Sequence, residues 1–484
     1  MSTQTVEAAM YIGGAWVESE SGARFDATSP ATGETIGSVP EGTREDAKRA
    51  IAAANAAARE WAARSAFERA AALERVADAI RERRDELART LTLDQGKPLK
   101  AEAYGEVDEL IEYWRGAAAE AIRIEGLMPP SADAEKRVLV YRVPKGVVGV
   151  ITPWNWPYTM PAEIVAPALA GGNAVVWTPA SSTALCSVKL AECVVDAGLP
   201  AGVFNLVTGP GREVGDEIAS SPGTHAVGFI GSTETGMRVA ERAAGKSLLL
   251  EMGGNGPLVV LEDADVDAAV EATLTASFLC AGQSCTAGER FLVHEAVQDE
   301  FVEKLTARMG EIRLGDPFAD DTTMGPLNNE ATAAKMDAHV GDALERGATL
   351  VAGGYRADGF PTKLFWEATV LDGVTEEMAV AREETFGPVV PISTIRSDDE
   401  ALAVIDSSPF GLLAAVFTRD LSRGLRFAES ARAGWVNVND STNYWESHLP
   451  FGGRSGSRSG VGRVGGRFSL EALTELKTVI LNLG

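Results

Sequence analysis

Cysteine and histidine are scarce, with four of each in 484 residues. So few cysteines exclude a disulfide scaffold. Neither C-x-x-C nor H-E-x-x-H occurs, so the close ligand pairs of the common zinc sites are missing. Cys186 and Cys193 stand seven positions apart on an expected helix, which is core spacing, and His225, His294 and His448 are scattered. No metal is expected. Positive charge is short too: 44 Lys and Arg against 69 Asp and Glu leave a net charge of −25. Binding nucleic acid needs a basic patch to neutralise phosphates, so that class is set aside. No apolar run approaches the ~18 residues of a membrane span. The start, "MSTQTVEAAMYIGGAW", has no basic region followed by an apolar one, so no secretory signal is expected. The reducing cytoplasm is the expected location.

Nucleotide and hydrolase signatures are also missing. "TGPGREVG" supplies Gly209, Gly211 and Gly215, one residue out of register for G-x-G-x-x-G. "GSTETG" lacks the lysine of a P-loop, and Gly245-Lys246-Ser247 lacks the preceding glycine at the required distance. No G-x-S-x-G elbow occurs. ATP chemistry and serine hydrolysis are therefore unsupported. Gly231 and Ser232 nevertheless follow an expected strand and open an expected helix. Free amides in such a turn can hold an anion such as pyrophosphate, although an ordinary strand–helix turn has the same pattern.

What is present suggests roughly two to four domains. Hydrophobic residues make up 45% of the chain, ample for a core. "REDAKRAIAAANAAAREWAA" and "AFERAAALERVADAIRERRDELARTLTL" have the spacing of two long amphipathic helices, the second stopped at Gly96 and Pro98. A further helix is expected over 103–122. "RVLVYRV" and "GVVGVIT" are β-branched runs around Pro144–Gly146, a hairpin over 137–151. Over 147–253 short apolar runs ("NAVVWT", "GVFNLVTG", "AVGFIGS", "SLLLEMGG") alternate with helices, which predicts a doubly wound parallel sheet with its ligand site beyond the strand carboxyl ends. A second α/β run extends to about residue 435. Residues 452–466 read as a long glycine- and serine-rich loop, and "TELKTVILNLG" as a terminal apolar strand that pairs with something, a partner subunit among the options.

The segment "FLCAGQSCTAGER" holds the other two cysteines, Cys280 and Cys285. Cys285 lies in a turn of small residues after a helix expected over 264–279, where a substrate can reach its sulfur. A catalytic thiolate needs that access, whereas a structural cysteine does not. A Cys–His pair with His448 stays open at this point.

Six segments together resemble the aldehyde dehydrogenase superfamily: "ITPWNWP", "GFIGSTETG", "LLLEMGGNGP", "GQSC", "EETFGPV" and "PFGG" occur in that family's order and spacing. The resemblance runs from "YIGGAWVES" to "TELKTVI". It implies two doubly wound α/β domains plus a small β oligomerisation element: residues 1–122 and 147–253 for the cofactor, 254–435 for catalysis, and 123–146 with 465–484 for assembly into a homodimer or homotetramer. It also implies roles. Cys285 would attack the aldehyde carbon, Asn155 would donate to the developing oxyanion, and Glu251 would activate the water that releases the acid. On pattern alone, Glu251 is a carboxylate at a strand end and Asn155 a turn residue. Thr152, Trp154, Thr178, Ser181, Gly231, Ser232, Glu384 and Phe386 would contact NAD or NADP. Trp156, Tyr158, Ser284, Trp445 and Phe451 would line the substrate tunnel.

The chain departs from the family pattern after "NAVVW", where Lys-Pro-x-Glu is usual and Thr178-Pro179-Ala180-Ser181 stand instead. Without the carboxylate a 2′-phosphate is not repelled, and without the lysine it is not rewarded, so either cofactor is allowed. Asn255 stands where Lys is common and Cys280 where Asn is frequent. Glu251 argues for release of a free acid rather than transfer to CoA. The aromatic lining suggests an apolar or aromatic aldehyde. Arg454 and Arg458 offer an alternative, a semialdehyde held by its carboxylate, unless they are solvated loop charge. A cofactor-independent cysteine esterase and a non-catalytic binding subunit complete the alternatives. A Cys280–Cys285 disulfide that silences the nucleophile under oxidation is a further possibility raised by the spacing.

Overall fold

Val147–Ile151 is a β-branched strand buried along almost its whole length, and the approach to the site is built outward from it. The computed structural model describes residues 5–484. This strand lies inside an eight-stranded sheet ordered Gly460–Val461, Ser247–Met252, Ala226–Gly231, Val147–Ile151, Ala174–Thr178, Phe204–Leu206, Met10–Ile12, Ala15–Val17. The five central strands are parallel, and the outer ones are antiparallel. Val147–Ile151 has Ala174–Thr178 on one side and Ala226–Gly231 on the other, so the winding reverses there. The carboxyl ends at such a reversal open into a crevice. Asn155, Gly231 and Glu251 all lie at or just past those ends.

A second, seven-stranded sheet follows the order Thr349–Ala352, Thr369–Asp372, Val389–Ile395, Gly288–His294, Gly256–Val260, Leu413–Phe417, Trp435–Val438. It is parallel except at Thr349–Ala352. Both sheets are doubly wound, as expected. Three short strands, Val6–Glu7, Thr35–Pro40 and Arg24–Thr28, form a third sheet.

The expected first helix is Arg44–Ala63, opened by a capping box between Thr43 and Asp46. The next expected helix is two: Ala66–Glu82 and Arg84–Asp94. No Gly or Pro marks the break, so periodicity alone does not reveal it. Arg83 leaves helical geometry at the joint and turns its guanidinium to Glu192 and Asp196. The expected 137–151 hairpin is not formed. Lys136–Pro144 instead pairs antiparallel with Thr474–Asn482 over nine residues, while Val147–Ile151 enters the large sheet. Only part of 465–484 is strand, since Gly466–Ala472 is helical. The stretch 452–466 is not all loop either: Gly460–Val461 closes the edge of the first sheet against Leu250 and Glu251.

The helix Val266–Phe278 delivers the cysteine segment. Cys280, Ala281 and Gly282 then adopt left-handed backbone in succession, φ 52°, 52° and 71°. That reverses the chain and presents Gln283–Cys285 before the strand at Gly288. Gln283 pins the turn: its Oε1 accepts from the Asn328 amide at 2.9 Å and its Nε2 donates to the Cys280 carbonyl at 2.8 Å. A Cβ on Gly282 would fall 2.2 Å from the Gly387 carbonyl oxygen. Gly282→Ala is therefore expected to cost more than about 2 kcal/mol and to lower the midpoint of thermal unfolding. Gly116→Ala, on the exposed face of Tyr104–Ala121 with nothing within 4 Å of the added carbon, is expected to raise stability by about 0.5–1 kcal/mol through helix propensity. Calorimetry on the two variants checks both signs.

Candidate active site

Two cavities meet at Cys285. One, of about 220 Å³, is walled by Trp156, Trp445, Phe451, Ser284 and three glutamates, Glu109, Glu163 and Glu251. The other, of about 290 Å³, is walled by Trp154, Asn155, Gly231, Ser232, Glu384 and Phe386. Cys285, Glu251, Met160 and Ile230 belong to both.

Glu251 sits next to the end of Ser247–Met252 and is 4% exposed. One of its carboxyl oxygens has no hydrogen-bond partner. Its carboxyl is within hydrogen-bonding reach of the Cys285 thiol. Burial raises its pKa to about 8, with the thiol contact pulling the other way. Cys285 is partly exposed. Its thiol is pushed well above the ordinary range, by burial first and by the Glu251 carboxyl second. Asn155 is buried and its Nδ2 donates to the Gln283 carbonyl at 3.0 Å, which ties the "PWNWP" turn to the cysteine segment.

The second cavity runs from Cys285 to the start of the helix Thr233–Arg242, which Ser232 caps. Phe386 holds left-handed backbone, φ 61°, and its ring meets Trp154 edge-on at 5.6 Å. Glu289, which the sequence reading passed over, accepts from the Thr385 and Phe386 amides at 2.9 and 2.7 Å and holds that turn. Glu384 accepts from the Gly254 amide at 3.0 Å, and a Cβ on Gly253 would fall 2.6 Å from its carboxylate. Asn255 donates to the Glu383 carbonyl at 2.7 Å and braces the same loop. Lys335 also lines this cavity. It sits within an ordinary amphipathic helix, Glu330–Glu345, and nothing in its sequence context marks it.

Three residues expected at the cofactor stand outside this wall. The Thr152 hydroxyl accepts from the Trp177 indole at 2.8 Å, and Thr178 is buried beside it at the strand end. Ser181 is exposed, its hydroxyl 3.4 Å from the Gly209 carbonyl. Tyr158 is not in the tunnel. It is fully buried and its hydroxyl donates to the Leu87 carbonyl at 3.0 Å, because the turn at Pro157 aims it into the helical core instead. Arg454 and Arg458 are also away from the cavity. Both are exposed; Arg454 lines a separate depression with Arg432 and Asp406, and the backbone amide of Arg458 bonds the Pro409 carbonyl.

Cys280 is buried, with its pKa raised to about 12. Its sulfur accepts from the Gln95 amide at 3.3 Å and lies 3.7 Å from the Asn155 carbonyl. Cys186 and Cys193 are buried on the helix Ala184–Asp196, and all four cysteines are free thiols. Among the described residues no three His, Cys, Asp or Glu side chains gather to hold a metal ion.

The arrangement places a partly exposed thiol, a buried carboxyl and a side-chain amide between two chambers, so molecules can approach one sulfur from two sides. Comparison with known proteins shows the family. The model of the aldehyde dehydrogenase family matches residues 16–479. The chain is 40% identical over 474 residues to 3-sulfolactaldehyde dehydrogenase of Pseudomonas putida, covering 97% of this chain and 96% of that one. It is also 40% identical over 474 residues to the NADP(+) succinate-semialdehyde dehydrogenase of Escherichia coli K12, covering 98% and 97%. The crystal structure of betaine aldehyde dehydrogenase from Staphylococcus aureus in complex with NAD+ superposes with a TM-score of 0.96 at 35% identity, over 99% of this chain and 95% of that one. On sequence and structure alike, the chain belongs to the aldehyde dehydrogenase family.

Proposed function

We propose that the protein oxidises an aldehyde to the free carboxylic acid with NAD or NADP, with Cys285 as nucleophile, Asn155 as oxyanion donor and Glu251 as base. The observation that carries this reading is that Cys285 and Glu251 stand on the wall common to both cavities. A hydride passes directly from one carbon to another, so the two ligands must adjoin where the aldehyde carbon is held, and a sulfur on the common wall is placed to hold that carbon at the junction.

The second cavity has groups suited to a dinucleotide: a half-buried carboxylate in Glu384 to accept from ribose hydroxyls, a lysine and a capped helix start toward phosphate, and two aromatic rings. When bound, the oxidised nicotinamide accepts the hydride that leaves the aldehyde carbon, so that aldehyde, NAD(P)+ and water become carboxylate, NAD(P)H and two protons. Glu251 takes the Cys285 proton, and the thiolate forms a carbon–sulfur bond with the aldehyde carbon. The Asn155 amide donates to the oxygen as it becomes negative. Once the hydride has gone, the carbon is held as a thioester. Glu251 releases its first proton to solvent and then draws one from water; the hydroxide adds, the carbon–sulfur bond breaks, the thiolate takes the proton back from Glu251, and the freed acid loses its own proton to solvent. Ser181 leaves no carboxylate to repel a 2′-phosphate, which supports use of either cofactor.

The first sheet with its helices, 1–122 and 147–253, is assigned to the cofactor, and 254–435 to the nucleophile. The paired strands within 123–146 and 465–484 are assigned to assembly as a homodimer or homotetramer. Leu476 and Ile480 remain 60% and 61% exposed on that ribbon, which supports a covered face in the assembly. A reducing cytoplasm suits a free nucleophilic thiol.

For the substrate, the aromatic wall supports an apolar or aromatic aldehyde. The relatives' names favour a second reading, an aldehyde ending in an acid, although Arg454 and Arg458 lie outside the cavity.

Cys285→Ala is expected to abolish aldehyde-dependent NAD(P)H formation, followed by nicotinamide absorbance. Asn155→Ala is expected to lower kcat by about 10²–10³-fold. Because Glu251 works as the carboxylate and its pKa is about 8, kcat is expected to climb as pH rises through about 8. A flat steady-state profile across that range counters the assignment. Light scattering gives the mass of the assembly, and a monomer counters the role given to the paired strands.

A further inference from the structure

Apart from Cys285, the ionisable side chains of the aldehyde-side cavity are all carboxyls. Glu109, Glu163 and Glu251 line it, and no Arg, Lys or His does. They arrive from three elements, the helices Tyr104–Ala121 and Thr159–Ala170 and the strand Ser247–Met252. Only Glu251 is used in the reaction above. Glu163 accepts from the Tyr113 hydroxyl at 2.9 Å, and Glu109 from the Trp445 indole at 2.9 Å. Each of these contacts meets one of about four lone-pair positions on a carboxylate. The free oxygen of Glu251 has no partner, although the residue is 4% exposed.

Carboxyls buried together without a cation are costly. Here burial, and then the charges of neighbouring glutamates, lift Glu163 well above its usual range, and burial lifts Glu109 as well. The nearby ammonium of Lys97 lies behind the Trp156 ring, 3.6 Å from its centre, and is paired with Glu106 at 2.6 Å. That pair adds no net charge to the wall. The rest of the wall holds no other carboxyl and no cation; Trp156, Trp445 and Phe451 stand in it beside aliphatic and small polar side chains, with Trp445 and Phe451 edge to face at 5.5 Å. Aromatic faces attract cations and repel anions.

We propose that this site takes aldehydes bearing a positively charged nitrogen at the end remote from the carbonyl, with Glu163 and Glu109 receiving the nitrogen and Trp156, Trp445 and Phe451 enclosing it. The inference rests on the aldehyde dehydrogenase reading. A cation in the cavity stabilises the ionised carboxylates, so binding offsets a strain that the empty wall carries. An aldehyde ending in a carboxylate brings a further negative group to a wall with no cation to meet it. The cavity of about 220 Å³ restricts the substrate to a small molecule.

The test compares 3-aminopropanal, 3-(trimethylammonio)propanal, butanal and succinate semialdehyde on the full-length enzyme, with NAD and with NADP. The two cationic aldehydes are expected to exceed butanal in kcat/KM by about tenfold or more, the scale of a charge-assisted hydrogen bond, with succinate semialdehyde last. Glu163→Gln and Glu109→Gln keep the side-chain shape and an oxygen for Tyr113 or Trp445. Each is expected to reduce the ratio of cationic to neutral kcat/KM, mainly through a raised KM for the cation. The inference is overturned if succinate semialdehyde matches or exceeds the cations, or if both Gln variants leave the ratio unchanged. Butanal oxidation without charge preference overturns this inference alone. No NAD(P)H from any of the four overturns it together with the underlying reading.

Discussion

Everything at this site depends on a buried carboxyl standing beside a partly exposed thiol. Glu251 and Cys285 are both weak acids, and both lose solvation where they meet. Burial disfavours the ionised form of each; the Glu251 carboxyl raises the thiol further, whereas the thiol pulls the carboxyl back down. A thiol held protonated is a poor nucleophile, because the thiolate is the reactive form. The contact also fixes the architecture, because its two members come from different sheets. Glu251 belongs to the end of a central strand of the first, while Cys285 is delivered by a turn that precedes a strand of the second.

Holding that contact takes backbone of an uncommon kind. Three successive left-handed residues reverse the chain before Cys285, two of them not glycine. Such conformations persist where surrounding bonds over-determine them. Gln283 supplies those bonds on one side, and the Asn155 amide reaches across from the first sheet on the other. The same side chain assigned to the oxyanion therefore also joins the two layers of the site. The chambers on either side of the sulfur differ in electrostatics. One has Lys335 opposite Glu384, so charges of both signs face its contents. The other has carboxyls and aromatic rings but no cationic side chain.

Much of this was legible in the chain because the chemistry is carried by compact local segments. "PWNWP", "EMGG" and "GQSC" each mark a turn at the end of a regular element, where small residues and an isolated functional group stand out. Parallel strands buried on both faces read as apolar runs, so the alternation over 147–253 translated directly into the first sheet. Errors arose where neighbours in sequence part in space. Trp156 and Tyr158 flank one proline, yet one lines the cavity and the other is buried against Leu87. Arg454 follows "PFGG" closely, yet its loop turns away toward Arg432 and Asp406. Glu109 was hidden on an amphipathic helix among other charges, most of them facing water and one, Glu106, buried against Lys97. Glu163 did leave a signal, as a lone charge in the otherwise apolar "TMPAEIVAPALA", a helix whose twelve residues are all buried.

By itself the sequence determined the sheet type, the family resemblance with the three residues it points to, Cys285, Glu251 and Asn155, and the absence of nucleotide-binding fingerprints of the common kinds. These follow from periodicity and from short motifs, which are properties of neighbouring residues. Which side chains share a cavity, which cation is already paired behind a ring, and which strand partners the chain end were decided by the tertiary structure alone. Those relations join residues up to hundreds of positions apart, such as Lys136 with Asn482 or Glu109 with Trp445. Burial sets their charge and reach, and burial exists only once the layers have packed.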